Sequence, residues 1–140
     1  MPSIEIETET LERFYETVNE TDPVVMINLL RYREQASYAA DFPAEPCTGS
    51  EAYGRYGALV TGLIAEAKGH VVWAGNPDIT VIGPKDESWD LTVLVQYPSR
   101  AAFLGMVESD TYRKAAHHRT AGLADSRLIA TKTIAGPFTR

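Results

Sequence analysis

The segment that most constrains the fold is a strand with apolar side chains on both of its faces. Residues 24–32 read Val-Val-Met-Ile-Asn-Leu-Leu-Arg-Tyr, and the two alternating sets are apolar apart from Asn28 and Arg31. Since successive side chains of a strand point to opposite faces, this pattern predicts a central strand in a sheet that is covered on both sides. Helices of the same chain cover one face, and the other face needs a second layer.

Helices are predicted from apolar periodicity and from residues that begin or end a helix. Thr48 and Glu51 have the spacing of a capping box, and Gly69 is expected to close that helix in the left-handed conformation. Ser99 and Ser109 are of the type that caps a helix N-terminus. The predicted helices run over about residues 8–19, 48–67, 102–107 and 110–123.

Further strands are predicted from short runs rich in β-branched and aromatic residues. The sequence Gly-Asn-Pro-Asp at residues 75–78 is typical of a tight turn, so the runs on either side of it are expected to form a hairpin. The predicted strands after the first are His70–Ala74, Ile79–Ile82, Leu91–Tyr97 and Arg127–Ile134.

The order of these elements predicts an α+β fold. Apart from the first helix and the short run Ile79–Ile82, the order is strand, helix, strand, strand, bipartite helix, strand, which is typical of the ferredoxin-like βαββαβ arrangement with an antiparallel sheet. The second sheet face is best covered by another copy of the chain, which predicts a homodimer with a dimeric α/β barrel. We expect a single domain over residues 1–140, with a helical extension at residues 1–22 and the core at residues 23–134.

Composition and charge exclude several classes of partner. The 13 basic and 19 acidic residues give a formal net charge of −6, without a basic run to bind phosphates, so nucleic acid is not expected. An acidic start and the lack of a long apolar run predict neither export nor a membrane span. Cys47 is the single cysteine, so no internal disulfide can form, and a cytoplasmic location is expected.

Several of these segments resemble a known family. They are residues 25–32, Tyr53, Tyr56, residues 109–112 and Arg119. They resemble the domain of unknown function 1330 (DUF1330) family over about residues 23–133. The resemblance implies a dimeric α/β barrel of ferredoxin-like fold.

One position departs from the family pattern. Its members often have paired glycines between the second helix and the second strand, where this chain has Lys68 and Gly69. The family brings no established activity. The wider superfamily similar to it includes cofactor-free monooxygenases, isomerases and haem enzymes, so the resemblance implies a fold rather than a reaction.

Four side chains are candidates for holding a ligand. Arg119 lies in the middle of the apolar face of the last helix, where it either forms a structural ion pair or meets the anion of a ligand. Asn28 needs partners inside its strand, which can be neighbouring backbone, water or a bound molecule. Arg31 either binds a carboxylate at the barrel mouth or forms an exposed salt bridge, and Trp73 either lines a pocket or packs.

The candidates for catalysis are His118 and Tyr56. His118 can act as a general base or a haem ligand, although a solvated or helix-capping role is the alternative. Tyr56 lies on the buried stripe of its helix, so packing competes with hydroxyl chemistry. Adjacent helical residues point in different directions, so His117 and His118 do not predict a metal site. Nucleotide, hydrolase and redox motifs are missing from the sequence, and no cofactor is expected.

Two hypotheses for function follow. In the first, each barrel half of a homodimer holds a small carboxylate or aromatic molecule on Asn28, Arg31 and Arg119, with cofactor-free proton transfer or oxygenation. In the second, a non-catalytic binding or interaction domain has a barrel filled by side chains, and a long loop over Glu34–Gly49 contacts a partner. A cavity of about 300 Å³ that reaches Arg119 or Asn28 would favour the first.

Overall fold

The structure, a computed structural model, describes residues 2–136. Within them, four helices and four strands are formed in the order α1 (Thr8–Thr17), β1 (Val24–Tyr32), α2 (Gly49–Glu66), β2 (His70–Gly75), β3 (Leu91–Tyr97), α3 (Arg100–Val107), α4 (Asp110–Gly122) and β4 (Leu123–Thr131). The strands form one antiparallel sheet in the order β2-β3-β1-β4. This arrangement confirms the predicted α+β, ferredoxin-like fold.

The core lies between the helices and one face of the sheet. Val24 and Met26 of β1 and Val95 and Tyr97 of β3 are buried there, in contact with apolar residues of α3 such as Phe103. Partly buried residues of α1, α2 and α4 pack against the same cluster. All four helices therefore contribute to the cover of this face.

Side-chain caps fix where α2, α3 and α4 begin, as the sequence predicts. Thr48 accepts a hydrogen bond from the backbone of Glu51, whose carboxylate accepts one from the backbone of Thr48, so the capping box is complete. Ser99 and Ser109 accept backbone hydrogen bonds at the starts of α3 and α4. In the described part of the chain, no helix combines the length and apolar character needed to cross a bilayer.

The other face of the sheet carries an apolar row that crosses all four strands. Trp73, Leu94, Ile27 and Ile129 are successive partners across β2, β3, β1 and β4. Trp73 is 51% exposed and Ile129 is 47% exposed, although both are large apolar side chains. We call this surface the open sheet face. Because Ile27 lies on it while Val24 and Met26 lie in the core, β1 is apolar on both faces, as its sequence indicates.

The predicted hairpin between His70–Ala74 and Ile79–Ile82 is wrong. Residues 76–90 form an irregular connection, and β2 pairs with β3 instead. The turn residues do end β2, but the place beside it in the sheet is taken by β3, whose Val95 and Tyr97 are buried in the core. Ile79, Val81 and Ile82 are consequently exposed. Their β-branched composition alone does not form a strand, since β2 is the edge strand of the sheet and the run still does not pair with it.

The last strand begins earlier than predicted, at Leu123 rather than Arg127. α4 passes directly into β4 at Gly122, which lies against the start of α2. A Cβ on Gly122 would be 2.6 Å from the carbonyl oxygen of Gly49, and a Cβ on Gly49 would be 2.6 Å from the carbonyl oxygen of Gly122. The helix ends therefore approach each other because neither residue has a side chain.

The turn between α2 and β2 differs from the prediction in which residue is left-handed. Lys68 has a φ of 64°, whereas Gly69 does not have a positive φ. Gly69 is required for space, since a Cβ there would be 2.8 Å from the ring of Tyr97. Position 68 favours glycine because its backbone is left-handed, and position 69 favours glycine because a side chain would meet Tyr97. Lys68 is therefore strained.

Replacing Lys68 with glycine should stabilise the protein by about 0.5–1 kcal/mol, because relief of the left-handed strain exceeds the added entropy of the unfolded chain. Lys68→Ala keeps a Cβ in the same conformation and should give no such gain. Urea unfolding midpoints measure both. Equal midpoints for the two variants would contradict this account of the turn.

Candidate functional site

The candidate site is an open cleft of about 330 Å³ between α4 and the long loop of residues 33–48. It is lined by loop residues 37–39, by Glu5 and by one side of α4 that includes Arg113, His117 and Thr120. A bridge between Gln35 and Thr48 closes the base of the loop. The loop predicted over Glu34–Gly49 is thus held against the helix rather than extended into solvent.

The hydroxyl of Tyr38, at the wall of the cleft, joins two ionisable side chains. Its oxygen lies 2.6 Å from Nδ1 of His118 and accepts a hydrogen bond of 3.1 Å from Nη1 of Arg55. A guanidinium has donors only, so Tyr38 accepts from Arg55 and is able to donate its own proton to His118. That arrangement assigns the ring proton of neutral His118 to Nε2.

His118 is held in its neutral form at neutral pH. Burial lowers the pKa of His118, and the positive charge of Arg55 and the neighbouring His117 lower it further. A neutral imidazole has a free lone pair on Nδ1, which is what an acceptor for the Tyr38 proton needs. The site therefore contains a tyrosine hydroxyl between a cation and a neutral base.

Aromatic contacts fix the loop and the two histidines. Phe42 stacks on His117 with ring centroids 4.1 Å apart and an interplanar angle of 8°. The same ring meets His118 edge to face at 5.5 Å. The two histidines do point in different directions, and one loop residue packs against both. Within residues 2–136, no group of three or more His, Cys, Asp or Glu side chains is placed to hold a metal ion.

Tyr56, the second catalytic candidate, lies in a buried cluster of tyrosines. Its hydroxyl is 3.0 Å from that of Tyr112, and its ring also contacts Tyr53. Burial and the hydroxyl of Tyr112 raise the pKa of Tyr56 well above its usual value, and burial raises that of Tyr53 to about 12. Tyr56 remains protonated at neutral pH and is placed as a packing residue; a catalytic role for it stays a prediction.

The ligand candidates Asn28 and Arg31 find partners in the sheet. Asn28 donates to the carbonyl oxygens of Val93 at 3.2 Å and Met26 at 3.4 Å, so backbone satisfies its amide. Arg31 lies on the open sheet face, 3.6 Å from the carboxylate of Asp125. Backbone partners for Asn28 and a salt bridge for Arg31 are the alternatives to ligand binding that the sequence left open.

Arg119 and Trp73 also lie away from the cleft lining. Arg119 donates to the carbonyl oxygen of Ile4 and contacts the hydroxyl of Ser126 at 3.5 Å. In the described part of the chain its partners are thus neutral oxygens rather than the carboxylate of an ion pair. Trp73 is part of the row on the open sheet face. The four ligand candidates are not brought together, and their ligand roles stay predictions.

Sequence patterns do not distinguish the other two members of the Tyr38 network. Arg55 follows Glu51 by four residues on α2, a spacing typical of a solvated helix surface. Tyr38 lies in an irregular loop. The available signal is that Tyr38 and Phe42 are aromatic residues in a loop of otherwise small and polar residues, and aromatic loop residues often pack or bind.

Comparison with known proteins shows the family to which the chain belongs. The model of the family described as domain of unknown function (DUF1330) matches residues 46–133, which is more than half of the chain. The chain belongs to the DUF1330 family. The match begins later than the expected residue 23, and a search of functionally curated proteins gave no match.

Three solved structures show what this DUF1330 chain is similar to. RPA0582, a protein of unknown function from Rhodopseudomonas palustris, is 38% identical, with a TM-score of 0.88 over 97% of this chain and 100% of its own. A dimeric ferredoxin-like protein of unknown function from Bacteroides fragilis is 8% identical, with a TM-score of 0.50 over 82% of this chain and 100% of its own. Hydroxynitrile lyase from Passiflora edulis is 14% identical, with a TM-score of 0.57 over 84% and 99%. The last two show the fold alone.

We expect an NMR titration of His118 to give a pKa below 6.5, and Arg55→Gln to raise it because one opposing positive charge is removed. The stabilising contribution of His118 should be full above pH 6.5 and be lost as the pH falls through its folded pKa. Arg13→Gln, which removes the same charge from α1, is the control. An unchanged titration in Arg55→Gln would contradict the proposed electrostatic coupling.

Proposed function

We propose that the cleft binds a small organic carboxylate and that Tyr38 and His118 transfer a proton to or from it without a cofactor. The observation that carries the proposal is the 2.6 Å contact between Nδ1 of His118 and the hydroxyl of Tyr38, a residue that lines the cleft. A volume of about 330 Å³ lies at the lower end of the range for small-molecule sites.

The charges around the cleft favour a carboxylate at one end. Arg113 lines the cleft, and its contact with Asp110 at 3.8 Å is between two exposed side chains, so it is a weak pair. Its guanidinium is therefore available for a ligand carboxylate. Glu5 is held by Thr120 through a hydrogen bond of 3.0 Å and places a negative charge elsewhere on the wall, which would orient the ligand.

The Tyr38 network supports movement of a proton in both directions. As the Tyr38 oxygen takes a proton from the substrate, its own proton passes to Nδ1 of His118, and the reverse transfer restores both groups. The guanidinium of Arg55 stabilises negative charge on the tyrosine oxygen during the exchange. No electron or co-reactant is needed, so the class is proton transfer, such as isomerisation or exchange next to a carbonyl.

We also propose that the protein is a homodimer formed through the open sheet face. The apolar row ending in Trp73 and Ile129 is half exposed in a single copy, and pairing with a second sheet would bury it. A protein from Bacteroides fragilis that shares the fold is described as dimeric. The hydroxynitrile lyase adds fold-level support that this scaffold can host an enzyme.

A non-catalytic binding domain is the second candidate function. The space between sheet and helices is filled by buried side chains such as Met26, Phe103 and Leu104, and the cleft lies outside it. On this alternative, the cleft and its loop bind a ligand or partner without chemistry. The two candidates differ in whether a bound molecule exchanges protons with the protein.

The catalytic proposal predicts that the protein accelerates exchange of the C3 protons of phenylpyruvate in D₂O, followed by ¹H NMR. Tyr38→Phe should reduce the accelerated rate by about 100-fold or more, since it removes the group that exchanges the proton. Tyr15→Phe, on α1, is the matched control and should leave the rate unchanged. Binding of phenylpyruvate without accelerated exchange would support the non-catalytic alternative.

For the dimer, light scattering at micromolar concentration should give twice the mass of 15.4 kDa. Ile129→Glu should shift the protein to a monomer, because it places a charge in the proposed interface. Leu59→Glu changes an equally exposed apolar residue, 51% against 47%, on α2 and should leave the dimer intact. A monomeric wild type, or equal effects of the two variants, would rule out this interface.

A further inference from the structure

A short segment ahead of α1 is bound through its main chain by side chains of α4 and β4. Asp125 accepts a hydrogen bond of 2.8 Å from the amide of Ser3, and the hydroxyl of Ser126 donates to the carbonyl oxygen of Ser3 at 2.6 Å. Arg119 donates to the carbonyl oxygen of Ile4. We call residues 3–5 the strap; its carbonyl groups occupy the donors of Arg119 and Ser126.

The side chains that hold the strap form a site in their own right. Asp125 is 7% exposed and Ser126 is 3% exposed, so both are fixed in the fold. Arg31 and Arg127 contact the Asp125 carboxylate at 3.6 and 2.9 Å and keep it charged. A guanidinium beside a hydroxyl is a donor pair that binds the oxygens of a carboxylate as well as those of a peptide.

The strap also separates this donor pair from the cleft. Glu5 lines the cleft and accepts a hydrogen bond from Thr120, while the neighbouring Ile4 binds Arg119. Arg119 is near the buried tyrosines, since its positive charge acts against the burial that raises the pKa of Tyr53. Displacement of residues 3–5 would therefore extend the cleft toward Arg119, Ser126 and the tyrosine cluster.

The strap is held by hydrogen bonds and buries little apolar surface. Residues 2–6 are in no helix or strand, Ser3 and Glu5 are exposed, and Ile4 is half-buried. The hydrogen bonds that hold it are ones that a ligand carboxylate could replace at Arg119 and Ser126. Loops that open for ligands are commonly segments with little buried apolar surface.

We propose that the strap is a gate over a second anion position, at which Arg119 and Ser126 bind the carboxylate of a ligand in place of the carbonyl groups of residues 3 and 4. This inference rests on the proposed ligand site in the cleft, which the opened gate enlarges. It gives Arg119 a ligand role that is masked when the strap is in place.

The first test needs no ligand. Phenylglyoxal modification, with peptide mapping by mass spectrometry, should label Arg119 at least about 10-fold faster in a variant that lacks residues 1–6 than in the wild type, because the closed gate protects it. Arg113, whose side chain is 67% exposed while the strap is in place, is the internal control. Equal labelling of Arg119 in the two proteins would overturn the gate.

The second test uses benzoate as the carboxylate, titrated by NMR. Deletion of residues 1–6 should lower its Kd by about 10-fold, since the competent state is no longer a minor population. Arg119→Leu in the deletion variant should abolish that gain. Ser3→Pro, which removes the amide donor to Asp125, should act in the same direction and serves if the deletion does not fold.

The outcomes separate the gate from the proposed function. If labelling of Arg119 rises but benzoate binds no more tightly, the anion position is refuted. If the Arg119-dependent gain is seen while phenylpyruvate exchange is not accelerated by the wild type, the gate stands and the catalytic proposal fails. A gain that survives Arg119→Leu would assign the carboxylate to another cation and overturn the inference.

Discussion

A central strand that is apolar on both faces is the constraint on which this structure depends. β1 is paired on both edges, so it fixes the position of β3 and β4, and its Val24 and Met26 anchor the layer of helices. Its other set of side chains, with Ile27 in the middle of the apolar row, leaves a surface that a monomer exposes at a cost in free energy. Fold and the proposed assembly thus have the same cause.

The chemistry proposed for the molecule lies outside this core, on the layer of helices. Tyr38 comes from an irregular loop, Arg55 from α2 and His118 from α4, so three segments meet at one hydroxyl. Such a meeting is possible because the loop is closed at its base and packed on α4 through Phe42. The helices hold Arg55 and His118 in place, and the loop brings the Tyr38 hydroxyl between them.

The sequence predicts the fold well because each main element carries its own local signal. The capping box at Thr48 and the serine caps at Ser99 and Ser109 are local, and so is the apolar pattern of β1. The failures concern features that depend on tertiary position. Ile79–Ile82 has the composition of a strand but does not pair with the edge strand β2. The left-handed Lys68 belongs to a turn in which the next residue, Gly69, lies against the ring of Tyr97. His118 was identifiable as a titratable residue, whereas its partner Tyr38 was not, because no pattern links residues 80 positions apart.

The contact between Gly49 and Gly122 has a consequence for evolution and design. Two helices touch there through bare backbone, at the first residue of α2 and the last of α4. Arg55 lies six residues along one helix from this point, and His118 lies four residues along the other. The distance between Arg55 and His118, which the Tyr38 hydroxyl bridges, therefore depends on the absence of a Cβ at both glycines. A side chain at either glycine would meet backbone at about 2.6 Å, so a substitution there should push the two helices apart, destabilise the fold and at the same time move Arg55 and His118, on which the proposed proton transfer depends.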